Sequence, residues 1–156
     1  MEEKDYGHQP VLLEECLQAL DIRPEGVYLD GTLGRAGHSL EILRRLKGGR
    51  LIGIDRDMTA IAAARERLAE FGDRVTLVHS NFSEIGDVLR DLGVSGVDGM
   101  LFDLGVSSPQ LDEAHRGFSY MQDAPLDMRM DETAALDAFQ VVNTWGEEEL
   151  RRILYD

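Results

Sequence analysis

Short apolar runs alternate along this chain with stretches whose apolar residues recur at helical spacing. The runs lie at 27–29, 50–55, 75–79 and 97–102, and each predicts a buried strand. Helices are predicted from Pro10 to about residue 20, then at 39–46, at 59–71 and from 83 to about 92. Strands that alternate with helices form right-handed parallel crossovers. The pattern therefore predicts an α/β fold with a doubly wound, mostly parallel sheet.

The pattern changes after Asp103, where residues 104–133 contain few apolar runs and many Gly, Ser, Pro and Asp residues. A loop of this length in a compact domain is usually functional or disordered. Its residues Arg116, Arg129, Phe118 and Tyr120 suit a phosphate and a base, although scattered loop charges are more often simply solvated. A helix is predicted at 134–142, and 144–147 reads as a capping box before another helix.

A glycine-rich turn follows the first strand, in the segment VYLDGTLGRAGH at 27–38. Its three glycines permit a tight turn, and the next helix points its unpaired N–H groups back at that turn. In open α/β sheets, small molecules bind outside the carboxyl ends of the strands. The segment indicates a nucleotide-like cofactor site, but glycines alone fit an ordinary strand-to-helix connection equally well.

Acidic residues stand at the carboxyl ends of three predicted strands: Asp30, Asp55 and Asp103. Asp55 lies about 20 residues beyond the glycine turn, where dinucleotide folds place the carboxylate that binds ribose hydroxyls. The alternative is that Asp55, or Asp57, only caps the next helix. Phe82 follows the remaining strand and suits an adenine ring, although its pattern alone favours a core position.

Composition narrows the class of protein. The 156 residues fit one domain, and the net charge of -14 argues against broad nucleic-acid binding without excluding a local basic patch. The single cysteine, Cys16, favours a reducing cytosol. Neither a signal peptide nor a membrane-spanning run is expected, and the dispersed histidines predict no metal site.

Several segments together resemble one family: HQPVLLEE, YLDGTLGRAGHS, GIDRD, NFSEI, FDLGVSSPQLD, RGFS, PLDMRMD and NTWGEEEL. They are similar to the bacterial small-subunit ribosomal RNA cytosine-N4 methyltransferases of the MraW type. FDLGVSSPQLD with PLDMRMD is far more specific than the glycines. The resemblance implies a Rossmann-like methyltransferase fold, S-adenosylmethionine as cofactor, and the amino group of a cytidine in 16S ribosomal RNA as methyl acceptor.

The resemblance also implies site residues. Cofactor contacts are expected at Ala36, Gly37, His38, Asp55, Phe82, Asp103 and Gln110. Asp103 is the catalytic candidate, either as the acceptor of an amino hydrogen of cytosine or as a carboxylate beside the sulfonium of the cofactor. Gln110 enters through the resemblance alone.

The family is about twice as long as this chain, so we expect a sheet that is incomplete at the C-terminal side. Residues 1–107 then form a Rossmann-like cofactor-binding core, and 108–156 form a substrate-side loop and the start of a helical insertion. We expect a truncated chain that binds cofactor weakly without turnover and can dimerise through an open sheet edge. The expected partner is the small ribosomal subunit, in the cytoplasm.

Two other functions stay open at this point. An NAD-dependent oxidoreductase fits the sheet and Asp55, but the glycines read G-x-x-G-x-x-G rather than G-x-G-x-x-G. A non-catalytic cofactor-binding module fits the short length.

Overall fold

The computed structural model describes residues 10–155. The polar start of the chain, with His8 and Gln9 of the first motif, and Asp156 lie outside the described residues. The chain divides into two compact units, Met1–Leu104 and Gly105–Asp156. Among the described residues, no helix is long and apolar enough to cross a membrane.

The first unit contains a parallel sheet of four strands. These strands are β1 (Val27–Asp30), β2 (Arg50–Asp55), β3 (Val75–His79) and β4 (Gly99–Leu101). Their order in the sheet is β3-β2-β1-β4, with Leu29 opposite Ile52 and Met100. Each strand was predicted; β4 is shorter than the run at 97–102, and its three residues pair with Tyr28–Asp30 of β1.

One helix precedes β1, and the other helices of this unit connect successive strands in the predicted order. In chain order, the helices are α1 (Leu13–Leu20), α2 (Gly37–Arg45), α3 (Met58–Arg67) and α4 (Ile85–Asp91). The helix predicted at 59–71 is broken, because a 3-10 segment over Ala69–Arg74 takes its last turn and contains Gly72 at φ 52°. Asp57 caps α3 by accepting a hydrogen bond from the Thr59 amide at 2.9 Å.

The sheet is covered on both faces, which confirms the doubly wound arrangement. Neighbouring residues of β1 point to opposite faces, as they do in any strand. Tyr28 belongs to a core with α1, α2 and α3, whereas Leu29 belongs to a second core with Ile52, Ile54 and Val88 of α4. The carboxyl ends of all four strands therefore meet at one edge, and the first unit presents its strand-end residues there.

Asp30, at the end of β1, is a buried acid that holds the turn rather than facing solvent. Its side chain is 1% exposed and accepts hydrogen bonds from the Thr32 amide at 3.1 Å and from the Ser39 hydroxyl at 2.6 Å. Burial raises the pKa of Asp30 above its ordinary value, and these two donors oppose the rise. The carboxyl group thereby joins β1 to the first turn of α2.

The second unit contains α5 (Ser108–Asp112), α6 (Ala138–Thr144) and α7 (Glu147–Tyr155). The capping box predicted at 144–147 is wrong. Thr144 closes α6 by donating its hydroxyl hydrogen to the carbonyl of Gln140, whereas the Gly146 amide donates to the Glu149 carboxylate at the start of α7. The local pattern misleads because both helix ends fall within three residues.

The segment PLDMRMD folds back on itself in the second unit. Arg129 forms a two-pronged ion pair with Asp127, at 2.9 and 2.6 Å, and donates to the Ala134 carbonyl at 2.8 Å. Arg116 is buried and donates to the carbonyls of Arg129 and Met130, each at 3.1 Å. The sequence had made the guanidinium groups of Arg116 and Arg129 candidates for binding a phosphate. In the structure they bind groups of this loop and hold it together.

A pair of glycine substitutions tests the packing of the first unit. A Cβ atom on Gly49 would lie 2.2 Å from the backbone oxygen of Gly26, which cannot move aside without disturbing β1. We expect Gly49→Ala to lower the free energy of unfolding by about 1–3 kcal/mol, as overpacking does.

The matched control is Gly86→Ala in α4, where no atom lies within 4 Å of the added methyl group. It should raise stability by about 0.5–1 kcal/mol, since alanine favours a helix. Urea unfolding measures both values, and equal effects would contradict the packing at Gly49.

The buried carboxyl group of Asp30 predicts a pH dependence. Because its pKa is raised in the folded state, the unfolded chain ionises this group first, and the folded state loses relative stability as pH rises between the two pKa values. Asp30→Asn removes that loss. The free energy of unfolding of the variant, relative to the parent, should therefore increase as pH rises above about 4, the ordinary pKa of an aspartate. Asp73→Asn, at an exposed position with the same charge change, is the matched control. If the free energy of unfolding changes with pH in the same way for both variants, the change is an effect of net charge and not of the buried Asp30 carboxyl group.

Candidate functional site

The turn between β1 and α2 lies at the centre of the strand-end edge. Gly34 has φ 51°, a left-handed conformation that favours glycine. The Leu33 amide donates to the carbonyl of Ile54 at 3.0 Å, so the turn is also hydrogen-bonded to β2. These bonds fix the path of the backbone across the ends of two strands.

Asp55 holds the turn from the end of β2. One carboxylate oxygen accepts a hydrogen bond from the Gly34 amide at 2.7 Å, and the other accepts from the Asp57 amide at 2.9 Å. Burial raises the pKa of Asp55, while these amides oppose the rise. A carboxylate has about four acceptor positions, so the ionised group retains positions for two further donors. Asp55 does not cap α3, since Asp57 does so.

Asp103 follows β4 and is attached to the same turn. Its amide donates to the hydroxyl oxygen of Thr32 at 2.6 Å, and the Thr32 amide in turn donates to Asp30. Thr32 and Gly34 are two residues apart, so one short turn is bonded to both Asp103 and Asp55. The side chain of Asp103 is exposed. The structure thus brings the two predicted carboxylates to one edge of the sheet.

Two aromatic rings lie beside this turn. Phe82 is 41% exposed and packs edge-on against Phe102, with ring centroids 5.8 Å apart and an interplanar angle of 72°. The ring of Phe102 lies directly over Gly31, where a Cβ atom would come within 2.3 Å of it. Phe82 is therefore not a core residue, and its ring is positioned through Phe102 by the turn itself. An exposed aromatic ring at a strand end is a stacking surface for a flat heterocycle.

The turn continues into α2 through Ala36, Gly37 and His38. Ala36 is buried and left-handed at φ 61°, and it occupies the position before the first helical residue, Gly37. His38 is 7% exposed, and its Nε2 lies 3.0 Å from the carbonyl oxygen of Val11. Because a carbonyl only accepts, Nε2 donates the hydrogen in this contact. The His38 ring thus joins this turn to the segment before α1.

Gln110 belongs to the second unit. It completes a capping box at the start of α5: the Ser107 amide donates to Oε1 of Gln110 at 3.0 Å, and the Gln110 amide donates to the Ser107 hydroxyl at 3.4 Å. The side chain is 5% exposed. The observed bonds give this residue a structural function in α5, and its role toward a cofactor stays a prediction.

The sequence did not single out Thr32 or Phe102, although both organise the site. Thr32 connects the turn to Asp103 through a hydrogen bond. The ring of Phe102 lies between Gly31 and the ring of Phe82 and contacts both. A local signal existed for each residue. Thr32 stands inside the glycine turn, and Phe102 directly precedes the acid at the end of β4. Neither signal reveals its partner, because Thr32 and Asp103 are 71 residues apart in the chain.

The chain is similar to proteins of one family. The model of the MraW methylase family matches residues 5–156. A protein of Brevibacillus brevis named ribosomal RNA small subunit methyltransferase H is 60% identical over 151 residues, which are 96% of this chain and 48% of that protein. A protein of the same name from Clostridioides difficile is 56% identical over 153 residues, with 97% and 49% covered.

Among solved structures, a SAM-dependent O-methyltransferase from Thermotoga maritima is similar, with a TM-score of 0.51 at 16% identity. The match covers 64% of this chain and 38% of that one, and it supports the fold alone. The chain spans about half the length of the curated relatives that it matches. Because the family match extends over nearly the whole sequence, this chain belongs to the MraW methylase family.

Proposed function

We propose that this chain binds S-adenosylmethionine at the edge formed by the 31–38 turn, Asp55, Phe82 and Asp103. We further propose that it supplies the cofactor side of a methyltransferase for the N4 amino group of a cytidine in 16S ribosomal RNA of the small subunit, in the cytoplasm. The observation that supports this most is the turn itself. The hydroxyl of Thr32 accepts a hydrogen bond from the Asp103 amide, and the Gly34 amide donates to the Asp55 carboxylate, so both strand-end acids are attached to one short loop.

The residues at this edge suit each part of the cofactor. Asp55 keeps acceptor positions for the two ribose hydroxyls after binding two amides. Phe82 offers an exposed ring to the adenine. The start of α2, at Gly37 and His38, suits the carboxylate of the methionine moiety, because unpaired amides and the helix dipole favour a negative charge. When bound, the cofactor supplies a methyl group on a positively charged sulfur.

Asp103 has two candidate roles in the transfer. Its carboxylate is exposed at the edge while its amide is held by Thr32. In one role, the carboxylate accepts a hydrogen of the cytosine amino group, which localises the nitrogen lone pair that is otherwise delocalised into the ring. In the other role, it stabilises the positive charge on the sulfur of the cofactor. Both roles depend on positioning, which is the principal contribution of an enzyme to an in-line displacement.

The target base has to leave its stack to reach this edge, as is general for enzymes that modify bases. An acidic chain of net charge -14 favours a preformed ribosomal particle over free RNA as the substrate. Membership of a methylase family leaves the NAD-dependent oxidoreductase without support. The remaining alternative is a cofactor-binding module without turnover, since the chain spans about half the length of its relatives. Methyl transfer from labelled cofactor to small-subunit particles separates these two functions.

The proposed contact between Asp55 and ribose predicts a specific pattern of affinities. We expect Asp55→Asn to weaken binding of S-adenosylhomocysteine about 10- to 100-fold, because hydrogen bonds to a charged group contribute about 1.5–3 kcal/mol. The same variant should bind the 2′,3′-dideoxy analogue of that ligand as the parent does. Calorimetric titration of parent and variant with both ligands gives the four affinities of a double-mutant-type cycle between the carboxylate and the ribose hydroxyls.

This cycle separates ribose binding from damage to the turn, which Asp55 also holds through Gly34. Loss of affinity for both ligands alike would indicate a collapsed turn and contradict the ribose contact. The control variant is Asp91→Asn, an exposed aspartate at the end of α4 that makes the same charge change. It should leave both affinities unchanged.

The two roles of Asp103 predict different results for Asp103→Asn. If the carboxylate faces the sulfonium, the variant should bind S-adenosylmethionine about tenfold more weakly while its affinity for the uncharged S-adenosylhomocysteine is unchanged. If the carboxylate activates the amine, both affinities stay at parental values and kcat for methyl transfer falls in the full-length protein. Near-normal kcat together with unchanged affinities would exclude both roles.

A further inference from the structure

Positive charge is concentrated in one part of this acidic chain. Residues 35–74 contain nine of the 16 Lys and Arg residues but only six of the 30 Asp and Glu residues. This segment therefore carries a net charge of +3, and the remainder carries -17. It runs from the cofactor turn through α2, β2 and α3 to the start of β3, so the excess belongs to one side of the sheet.

Some of these cations are occupied within the fold. Arg44 and Arg45 pair with Glu41 on the surface of α2, at 2.6 and 2.8 Å. Arg74 donates to the carbonyl of Leu46 and lies over the ring of Phe71. These residues stabilise α2 and the end of the 3-10 segment, and we do not assign them to a ligand.

Arg56 and Arg67 are the two cations of this segment that we relate to the 31–38 turn, and we call the two the arginine rim. Arg56 is exposed and directly follows Asp55, whose carboxylate binds the Gly34 amide. Arg67 reaches from the end of α3 to the turn, where its Nη1 donates to the carbonyl of Arg35 at 3.0 Å. Arg67 thus reaches the backbone of the proposed cofactor turn, and Arg56 follows one of the proposed cofactor contacts, Asp55, in the chain. Neither belongs to the ion pairs found within residues 10–155.

The backbone holds the rim in place. His79, at the end of β3, donates from Nε2 to the carbonyl of Arg56 at 2.8 Å. Arg35, whose carbonyl accepts from Arg67, follows Gly34 directly. The acid next to Arg56, Asp57, is buried and accepts hydrogen bonds from Thr59, so it caps α3 instead of pairing with the rim. A guanidinium group on such an ordered backbone suits two-pronged binding of a phosphate.

We propose that Arg56 and Arg67 bind the phosphate backbone of an RNA strand beside the cofactor site. This proposal rests on the proposed function, because a base delivered to Asp103 needs its flanking backbone held nearby. A polyanion is attracted to the rim and repelled by the -17 charge of the remaining residues. The chain therefore binds RNA in one orientation, with the strand along the α3 side of the turn.

The test compares RNA binding by the 156-residue chain and by its Arg56→Gln/Arg67→Gln variant. Fluorescence anisotropy of a short labelled single-stranded RNA gives the affinity at several salt concentrations. The double variant should bind on the order of tenfold more weakly at low salt, and the slope of log K against log salt should fall by about 1.4. This change follows from the loss of two phosphate contacts, at about 0.7 each for single strands.

The matched control is Arg90→Gln/Arg23→Gln, which removes two charges from residues paired with Asp87 and Asp98. It should leave both the affinity and the salt slope near the parental values. An equal loss in both double variants would show a net-charge effect and overturn the proposal, as would parental binding by the rim variant. Competition by poly-aspartate as strong as competition by unlabelled RNA would assign the rim to acidic partners in general and overturn the RNA assignment.

Titration of the rim variant with S-adenosylhomocysteine keeps this inference distinct from the proposed function. We expect parental cofactor affinity for the single variant Arg56→Gln, whose side chain is exposed and is not one of the proposed cofactor contacts. A loss confined to variants that carry Arg67→Gln reports the lost hydrogen bond to the Arg35 carbonyl of the turn. If the parent fails to bind cofactor while RNA binding still depends on the rim, the cofactor proposal fails and the rim stands. If the parent binds cofactor while the rim variant binds RNA as well as the parent does, the cofactor proposal stands and the rim proposal fails.

Discussion

The first unit of this protein depends on the hydrogen bonds that fix the turn after β1. Asp55 binds the Gly34 amide, Thr32 binds the Asp103 amide, and the buried Asp30 binds the Thr32 amide. Three strand ends are thereby connected through a few residues of one loop. Hydrogen bonds of this kind matter most in partly buried surroundings, where an amide left without a partner is costly. The same bonds that make the loop rigid place the candidate chemistry at its rim.

The three acids at this edge occupy three environments. Asp30 is fully buried and serves the fold, Asp55 is partly buried and both serves the fold and keeps acceptor positions, and Asp103 is exposed. Burial raises the pKa of the first two carboxyl groups, and the amides that they accept oppose the rise. A gradient from buried to exposed thus runs across the strand ends. It separates the acid that maintains the turn from the acid that is accessible to a substrate.

Sequence reasoning predicted the strands, the helices of the first unit and the strand-end positions of Asp55, Phe82 and Asp103. It did so because the period of apolar residues reports burial directly. Its errors fall where two local signals overlap. The capping box at 144–147 failed because Thr144 closes one helix just before Gly146 opens the next. The arginines of the long loop suited a ligand by type, but Asp127 and backbone carbonyls bind them instead.

By itself, the sequence determined the α/β class, the order of the elements and the family, since periodicity and motifs are local properties that each segment carries. Tertiary structure alone decided which of the strand-end acids became buried and which partner each acquired. It also decided that Phe102 would cover Gly31 and that Arg67 would reach the carbonyl of Arg35. The physical reason is that these contacts join residues far apart in the chain, and no local pattern specifies which distant groups the packed sheet brings within hydrogen-bonding distance.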